Sequence, residues 1–124
     1  MACVLIVDDS LLQRNTLSAF VQAAGHKART ASNGKEGLQA ILTDPPDCLL
    51  LDMLMPEMDG MQLLETLQAR GISIPTIVLT ADVQEWMKIK CLELGAKIFL
   101  NKPAKQEEVS KALTSVLDSS FQEA

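Results

Sequence analysis

Carboxylates, a hydroxyl and an amine follow the apolar runs of this sequence. Asp8 and Asp9 come directly after the run CVLIV, Asp52 follows CLLL, Thr80 ends TIVLT, and Lys102 lies just beyond KIFLN. Any one of these polar residues could simply be solvated at the end of a strand. Three carboxylates held about 4 Å apart, however, would repel one another by roughly 4 kcal/mol per pair at an effective dielectric of about 20. Such a cluster needs a bound cation or raised pKa values.

The residue types at these positions suit a divalent cation and phosphoryl chemistry. Oxygen ligands favour Mg2+, with Mn2+ or Ca2+ able to substitute, over Zn2+. Beside such a cation, Asp52 could attack a phosphoryl group in line, while Lys102 neutralises its oxygens and Thr80 donates a hydrogen bond. The pattern therefore predicts that Asp52 accepts a phosphoryl group.

The elements that would position these residues follow from the alternation of apolar runs with amphipathic segments of helical length. This alternation predicts repeated strand–helix units and a parallel sheet. The predicted strands are 3–7, 27–31, 48–51, 76–80 and 97–101. The first, third and fourth are almost wholly apolar and suit the buried middle of the sheet, whereas the more polar second and fifth suit its edges.

These placements predict an α/β fold, a flavodoxin-like, doubly wound sheet of five parallel strands in the order 2-1-3-4-5 with helices on both faces. Such sheets bind ligands beyond the carboxyl ends of the strands, where the strand order reverses. Asp8, Asp9 and Asp52 follow the two strands at that point. Capping boxes at Asn33-to-Glu36 and Asp82-to-Glu85 predict the starts of the second and fourth helices.

Length and composition bound the remaining possibilities. The 124 residues predict one domain over 1–118, with a loose C-terminal tail at 119–124. No apolar run approaches the roughly 20 residues of a membrane span, and no signal peptide is recognisable, so a cytoplasmic protein is expected. The net charge of −5 disfavours direct nucleic-acid binding. Three cysteines without a C-x-x-C spacing predict reduced core thiols.

Four motifs carry a resemblance to a known family. They are VDDS after the first strand, LLLDMLMPEMDG around the third, VLTA after the fourth and LNKP after the fifth. In this order they resemble the response-regulator receiver domain of two-component signalling, over practically the whole chain. The resemblance implies that a sensor histidine kinase or phosphotransfer protein phosphorylates Asp52. It also implies a signalling phosphoacceptor that catalyses its own phosphorylation, not an enzyme acting on other substrates.

The resemblance assigns roles position by position. It implies that Asp9, Asp52 and the backbone carbonyl of Leu54 ligate Mg2+ directly, and that Asp8 does so through a water molecule. It implies that Thr80 and Lys102 contact the phosphoryl group. The Lys102–Pro103 peptide bond is expected to be cis, and Phe99 is expected to be an aromatic switch that swings inward as Thr80 moves; alternatively, Phe99 is simply a buried edge-strand residue.

A partner surface is predicted on the fourth helix, next to the fifth strand and fifth helix. Trp86, Ile89 and Leu92 lie off the buried stripe of that helix, although exposed apolar residues also occur singly without a partner. The partner would be a downstream effector protein or an output domain beyond the C-terminus. The chain would act as a monomer or as a phosphorylation-dependent dimer.

One departure from the family pattern concerns hydrolysis. Leu54 is apolar where many receivers carry a polar residue, and with Asp82 it flanks the path of a hydrolytic water. Self-dephosphorylation is therefore expected to be slow. Leu54 also argues against a haloacid-dehalogenase-like phosphatase, which needs a second acid at that position.

Two further alternatives remain open at the sequence level. A flavodoxin-like FMN binder would need a hydroxyl- and glycine-rich phosphate loop after the first strand, where Asp8 and Asp9 would repel a bare phosphate. The other alternative is a receiver-shaped interaction module that is never phosphorylated. Such a module would have no need to retain all five polar site residues, which are Asp8, Asp9, Asp52, Thr80 and Lys102.

Overall fold

The computed structural model describes residues 2–53, 55, 58–81 and 84–123, with side chains described up to residue 117. Within these described ranges, five strands alternate with five helices. In chain order they are β1 (Cys3–Val7), α1 (Leu11–Ala23), β2 (Lys27–Ala31), α2 (Gly34–Thr43), β3 (Cys48–Asp52), α3 (Gly60–Ala69), β4 (Thr76–Thr80), α4 (Glu85–Glu93), β5 (Ala96–Asn101) and α5 (Gln106–Glu123). The described part of the chain has no helix with both the length and the apolar character that crossing a bilayer requires.

The strands form one parallel sheet in the order β2-β1-β3-β4-β5, which confirms the prediction. Every residue of β3 and β4 is buried, as are four of the five in β1, whereas β2 and β5 each have one buried residue among exposed and half-buried ones. Largely apolar strands occupy the middle because helices cover both of their faces, and more polar strands tolerate the edges. The order reverses between β1 and β3, so the ends of these two strands border the same crevice.

Two apolar clusters hold the layers together. The first lies between the sheet and α2, α3 and α4, where its buried members include Ile41, Leu63 and Cys91. The second lies between the other face and α1 and α5, with Leu17 and Leu113 among its buried members. Alternate residues of each central strand contribute to opposite clusters, because successive side chains of a strand point to opposite faces.

The capping predictions are partly wrong. At α2 the Asn33 side chain accepts the N–H of Glu36 as predicted, but the Glu36 carboxylate accepts from Ser32 instead of returning to Asn33. The N-cap of α4 is Gln84, and among the described residues no side chain caps this end of the helix. An Asp82-to-Glu85 capping box would need the N-cap two residues earlier, so that prediction is wrong. The indole N–H of Trp86 donates to the Gln84 side chain at 2.8 Å, which makes a different local contact at this end. Asp82 itself lies outside the described residues.

The start of α3 lies directly against the end of β3. The N–H of Gly60 donates to the carbonyl of Met53 at 3.1 Å. A Cβ on Gly60 would collide with the carbonyl oxygen of Asp52 and lie 2.9 Å from the Cα of Met53. Glycine therefore permits the close approach that fixes the backbone on which Asp52 stands.

The last helix continues to Glu123. The division into a domain at 1–118 and a loose tail at 119–124 stays a prediction. The thiols are free, with Cys48 and Cys91 buried and Cys3 only partly so. Burial raises the pKa of the Cys48 thiol to about 12, which keeps it in the unreactive protonated form at neutral pH.

Candidate functional site

The crevice beyond the carboxyl ends of β1 and β3 brings together the three predicted carboxylates. Asp8 follows β1 and Asp52 ends β3, and one oxygen of each, with one of Asp9, lies within 4.8 Å of the other two. Asp8 is 1% exposed and Asp52 6%, whereas Asp9 is exposed. The buried pair is thus supported by packing, while Asp9 leaves one side of the cluster open to solvent.

Lys102 extends from the end of β5 into this cluster. Its Nζ lies 2.8 Å from Oδ2 of Asp8 and 3.2 Å from Oδ1 of Asp52. Burial alone would lower the pKa of Lys102, but the hydrogen bond to Asp8 and the charges of Asp52 and Asp8 outweigh it and raise the pKa above its ordinary value. The ammonium therefore stays charged throughout the physiological range. The Lys102–Pro103 peptide bond is cis.

Thr80 and Phe99, the two predicted switch residues, lie on the neighbouring strands β4 and β5. Thr80 is wholly buried at the end of β4, and its carbonyl accepts the N–H of Lys102 at 3.0 Å. This bond ties the residue carrying the ammonium to the end of the neighbouring strand. Phe99 is half-buried and packs against the cluster under α2, α3 and α4.

The turn that carries Asp8 and Asp9 is held by contacts that sequence reasoning did not assign to the site. The N–H of Ser10 donates to Oδ1 of Asp8 at 2.9 Å, and Nη1 of Arg14 donates to the Asp8 carbonyl at 2.8 Å. The sequence could have suggested Arg14 only because this cation lies one helical turn after the VDDS motif. Its partner is a backbone oxygen, however, and no side-chain pattern identifies such a partner.

Two sulfur atoms are in contact next to the end of β3, the strand that carries Asp52. The Cys91 thiol on α4 lies 3.4 Å from the thioether sulfur of Met53, and both residues are buried. Burial, with a smaller contribution from the charge of Asp59, raises the pKa of the Cys91 thiol to about 11. This protonated thiol serves as packing and joins α4 to the residue that follows Asp52.

The donor set fits a hard divalent cation. All three side chains offer carboxylate oxygens, and the exposed position of Asp9 leaves room for water and phosphate oxygens, an arrangement that suits Mg2+. Among the described side chains of this cluster, Lys102 supplies one positive charge against the three carboxylates, so the cluster retains an excess of negative charge. Leu54, whose backbone carbonyl was predicted as a further ligand, lies outside the described residues.

The apolar residues predicted on the fourth helix are exposed. Trp86 is 62% exposed, Ile89 50% and Leu92 44%. Trp86 and Ile89 also line a shallow apolar groove with Met61 of α3. The structure thus groups Asp8, Asp9, Asp52 and Lys102 and places Thr80 at the end of the adjoining strand. The three apolar residues of α4 are exposed.

Comparisons with known proteins agree on one family. Residues 4–114 match the family described as response regulator receiver domain. Protein PilH of Pseudomonas aeruginosa is 35% identical over 119 residues, covering 94% of this chain and 98% of PilH. The protein-glutamate methylesterase/protein-glutamine glutaminase of Treponema denticola is 42% identical over 123 residues, covering 92% of this chain and 33% of that protein. The chain thus spans from a third to almost the whole length of these relatives.

Solved structures show the same likeness. Chemotaxis protein CheY4 of Vibrio cholerae is 32% identical with a TM-score of 0.88, covering 94% of this chain and 99% of that one. The receiver domain of the Francisella response regulator 1452 is 28% identical with a TM-score of 0.90, covering 97% and 99%. The architecture described above is therefore that of these receiver domains.

Proposed function

Because the chain belongs to the response regulator receiver domain family of two-component signalling, we propose that it accepts a phosphoryl group on Asp52 from a phosphohistidine. The observation that supports this most is the grouping of Asp52 with Asp8, Asp9 and the Lys102 ammonium. The donor would be a sensor histidine kinase or a phosphotransfer protein. The rivals considered at the sequence level gain no support from the fold or its relatives.

In the proposed reaction, a carboxylate oxygen of Asp52 attacks phosphorus in line with the P–N bond of the donor. The O–P bond forms as the P–N bond breaks, and the donor imidazole leaves with the electron pair. The Lys102 ammonium, now 3.2 Å from Oδ1 of Asp52, would pass to the transferring oxygens. The Thr80 hydroxyl would donate a hydrogen bond to the same group.

Receiver domains in general use Mg2+ at an acidic pocket, and we assign the ligands here to Asp9, Asp52 and the Leu54 carbonyl, with Asp8 acting through water. When bound, the cation would supply charge neutralisation for the phosphoryl oxygens. Asp8 has a further role in this scheme, since its bond to Lys102 fixes the ammonium beside Asp52.

We also propose that phosphorylation changes a partner-binding surface. A phosphoryl group adds about −1.5 to −2 charge. Shifting an equilibrium from 1:99 to 99:1 requires about 5.5 kcal/mol of differential stabilisation, which new contacts from Lys102 and Thr80 could largely provide. Thr80 and Phe99 would carry the change, and the apolar face of Trp86, Ile89 and Leu92 would receive an effector protein or an output domain. Slow self-dephosphorylation stays a prediction.

Trp86 offers a direct test because it is the single tryptophan of the chain and lies on α4. Addition of beryllofluoride with Mg2+, which mimics the phosphoryl group, is expected to change the Trp86 emission in the wild-type protein. The matched control is Asp52→Asn, which lacks the second carboxylate oxygen and should show no change. An equal change in both proteins, or none in a wild type shown by mass to retain beryllofluoride, would contradict the proposed switch.

A further inference from the structure

The Arg14 guanidinium reaches back from α1 to the turn that carries two of the pocket's carboxylates. Arg14 is half-buried, and its Nη1 lies 2.8 Å from the carbonyl oxygen of Asp8. Its own N–H donates to the Ser10 carbonyl at 2.9 Å, as the first turn of the helix requires. The side chain and the backbone of Arg14 thus hold successive parts of the same turn.

The contact completes the restraint of Asp8. The Asp8 N–H donates to the Ala31 carbonyl of β2 at 3.1 Å, and its two carboxylate oxygens accept from Ser10 and Lys102. Arg14 holds the remaining polar group of this residue, the carbonyl. Since that carbonyl belongs to the peptide that joins Asp8 to Asp9, its orientation also fixes the direction in which Asp9 leaves the strand.

Asp9 depends on this restraint more than its neighbours do. Asp8 and Asp52 are buried and contact Lys102, whereas the Asp9 side chain is exposed and gains little from packing. Its place within 4.8 Å of the other carboxylates therefore depends on the backbone of the turn. A peptide released from Arg14 could rotate and carry the Asp9 carboxylate away from the pocket.

We infer that Arg14 is a positioning residue for the acidic pocket, where it holds the Asp8–Asp9 peptide so that both carboxylates face Asp52. The inference rests on the proposed function in taking Mg2+ as the ligand of the pocket. Partners of a metal's ligands commonly contribute about 10–100-fold to metal affinity. Removing Arg14 should therefore weaken Mg2+ binding.

The charge of Arg14 would act in the opposite direction. A guanidinium near the pocket repels a cation, so charge alone predicts tighter Mg2+ binding when Arg14 is lost. The hydrogen bonds from Ser32 lower the pKa of Glu36, and the charge of Arg14 contributes less in the same direction. The guanidinium thus contacts the turn before α1, and its charge reaches Glu36 on α2. The sign of the change in Mg2+ affinity separates positioning from charge.

The test is the affinity of the full chain for Mg2+ alone, measured by titration calorimetry without any phosphodonor. Arg14→Met, which removes both charge and donor groups, is expected to bind Mg2+ about 10-fold more weakly than the wild type. Arg14→Lys, which keeps the charge and one donor group, should fall between the two. Arg70→Met provides the control, because Arg70 is exposed at the far end of α3, and it should leave the affinity unchanged.

Equal or tighter Mg2+ binding by Arg14→Met would overturn the inference. If Arg14→Met does not fold, as judged by circular dichroism, Arg14→Lys decides: weaker binding supports the positioning role, and unchanged binding overturns it. A wild type that binds Mg2+ but takes up no phosphoryl group would refute the proposed function and leave this test intact. A wild type that binds no Mg2+ would overturn both.

Discussion

Lys102→Met is expected to lower the free energy of unfolding of the metal-free protein by about 3–5 kcal/mol at neutral pH. The substitution leaves Asp8 and Asp52 buried without the ammonium that lies 2.8 and 3.2 Å from them. Removing one partner of a buried ion pair destabilises strongly because the remaining charge stays desolvated. Urea unfolding of both proteins in the presence of a chelator measures the difference.

The pH dependence of this difference follows from the raised pKa of Lys102. A cation with a raised folded-state pKa contributes its full stability below the unfolded pKa, about 10.5 for lysine, and loses it as the pH rises through the folded value. The gap between wild type and variant should therefore persist from neutral pH to about pH 10.5 and then shrink.

The control for Lys102 is Lys97→Met, since Lys97 is exposed on β5 and should change the stability by no more than about 0.5 kcal/mol. Mg2+ should recover more stability in Lys102→Met than in the wild type, because it would restore positive charge to a pocket that has lost its ammonium. Equal losses in Lys102→Met and Lys97→Met would show that the Lys102 ion pairs contribute nothing to stability.

Chelation of Mg2+ should slow phosphoryl uptake from acetyl phosphate by at least about 100-fold. A carboxylate pocket with one lysine repels an anionic donor, and metal neutralisation is commonly worth several kcal/mol in the transition state. About 2.7 kcal/mol already corresponds to a factor of 100. The measurement is the rate of mass gain by the wild type with saturating Mg2+ and with excess chelator.

Asp9→Asn tests whether the same pocket is responsible. In saturating Mg2+ it should take up phosphoryl groups about as slowly as the chelated wild type, because Asp9 is the exposed carboxylate of the cluster and a proposed direct ligand. Asp44→Asn, at the exposed end of α2, is the matched control and should react at the wild-type rate. Rapid uptake by the chelated wild type would contradict the assigned metal role.

The strands and their order could be predicted because burial leaves a direct record in the sequence. Runs such as CLLL have no polar face and so suit the buried middle of the sheet, whereas the more polar KARTA suits an edge. Helix starts were less predictable, as α4 illustrates. The acids three residues apart predicted Asp82 as its N-cap, whereas the N-cap is Gln84, whose side chain accepts a hydrogen bond from Trp86.

The site was predictable to the extent that it depends on topology. The carboxyl ends of parallel strands lie on one side of the sheet, so the strand order predicts that Asp8, Asp52 and Lys102 share that side. Sequence could not tell that Lys102 lies nearer to Asp8 than to Asp52, because that depends on side-chain rotamers. It also missed contacts between side chain and backbone, such as that of Arg14, because every residue offers the same carbonyl.

The central claim, that Asp52 carries the phosphoryl group, is tested most directly by intact mass. The wild type and Asp52→Asn are each incubated with acetyl phosphate and Mg2+, and their intact masses are then measured by mass spectrometry. We expect the wild type to gain the mass of one phosphoryl group and Asp52→Asn to gain none while it keeps the wild-type circular dichroism spectrum. An equal gain by Asp52→Asn would place the phosphoryl group elsewhere and contradict the account.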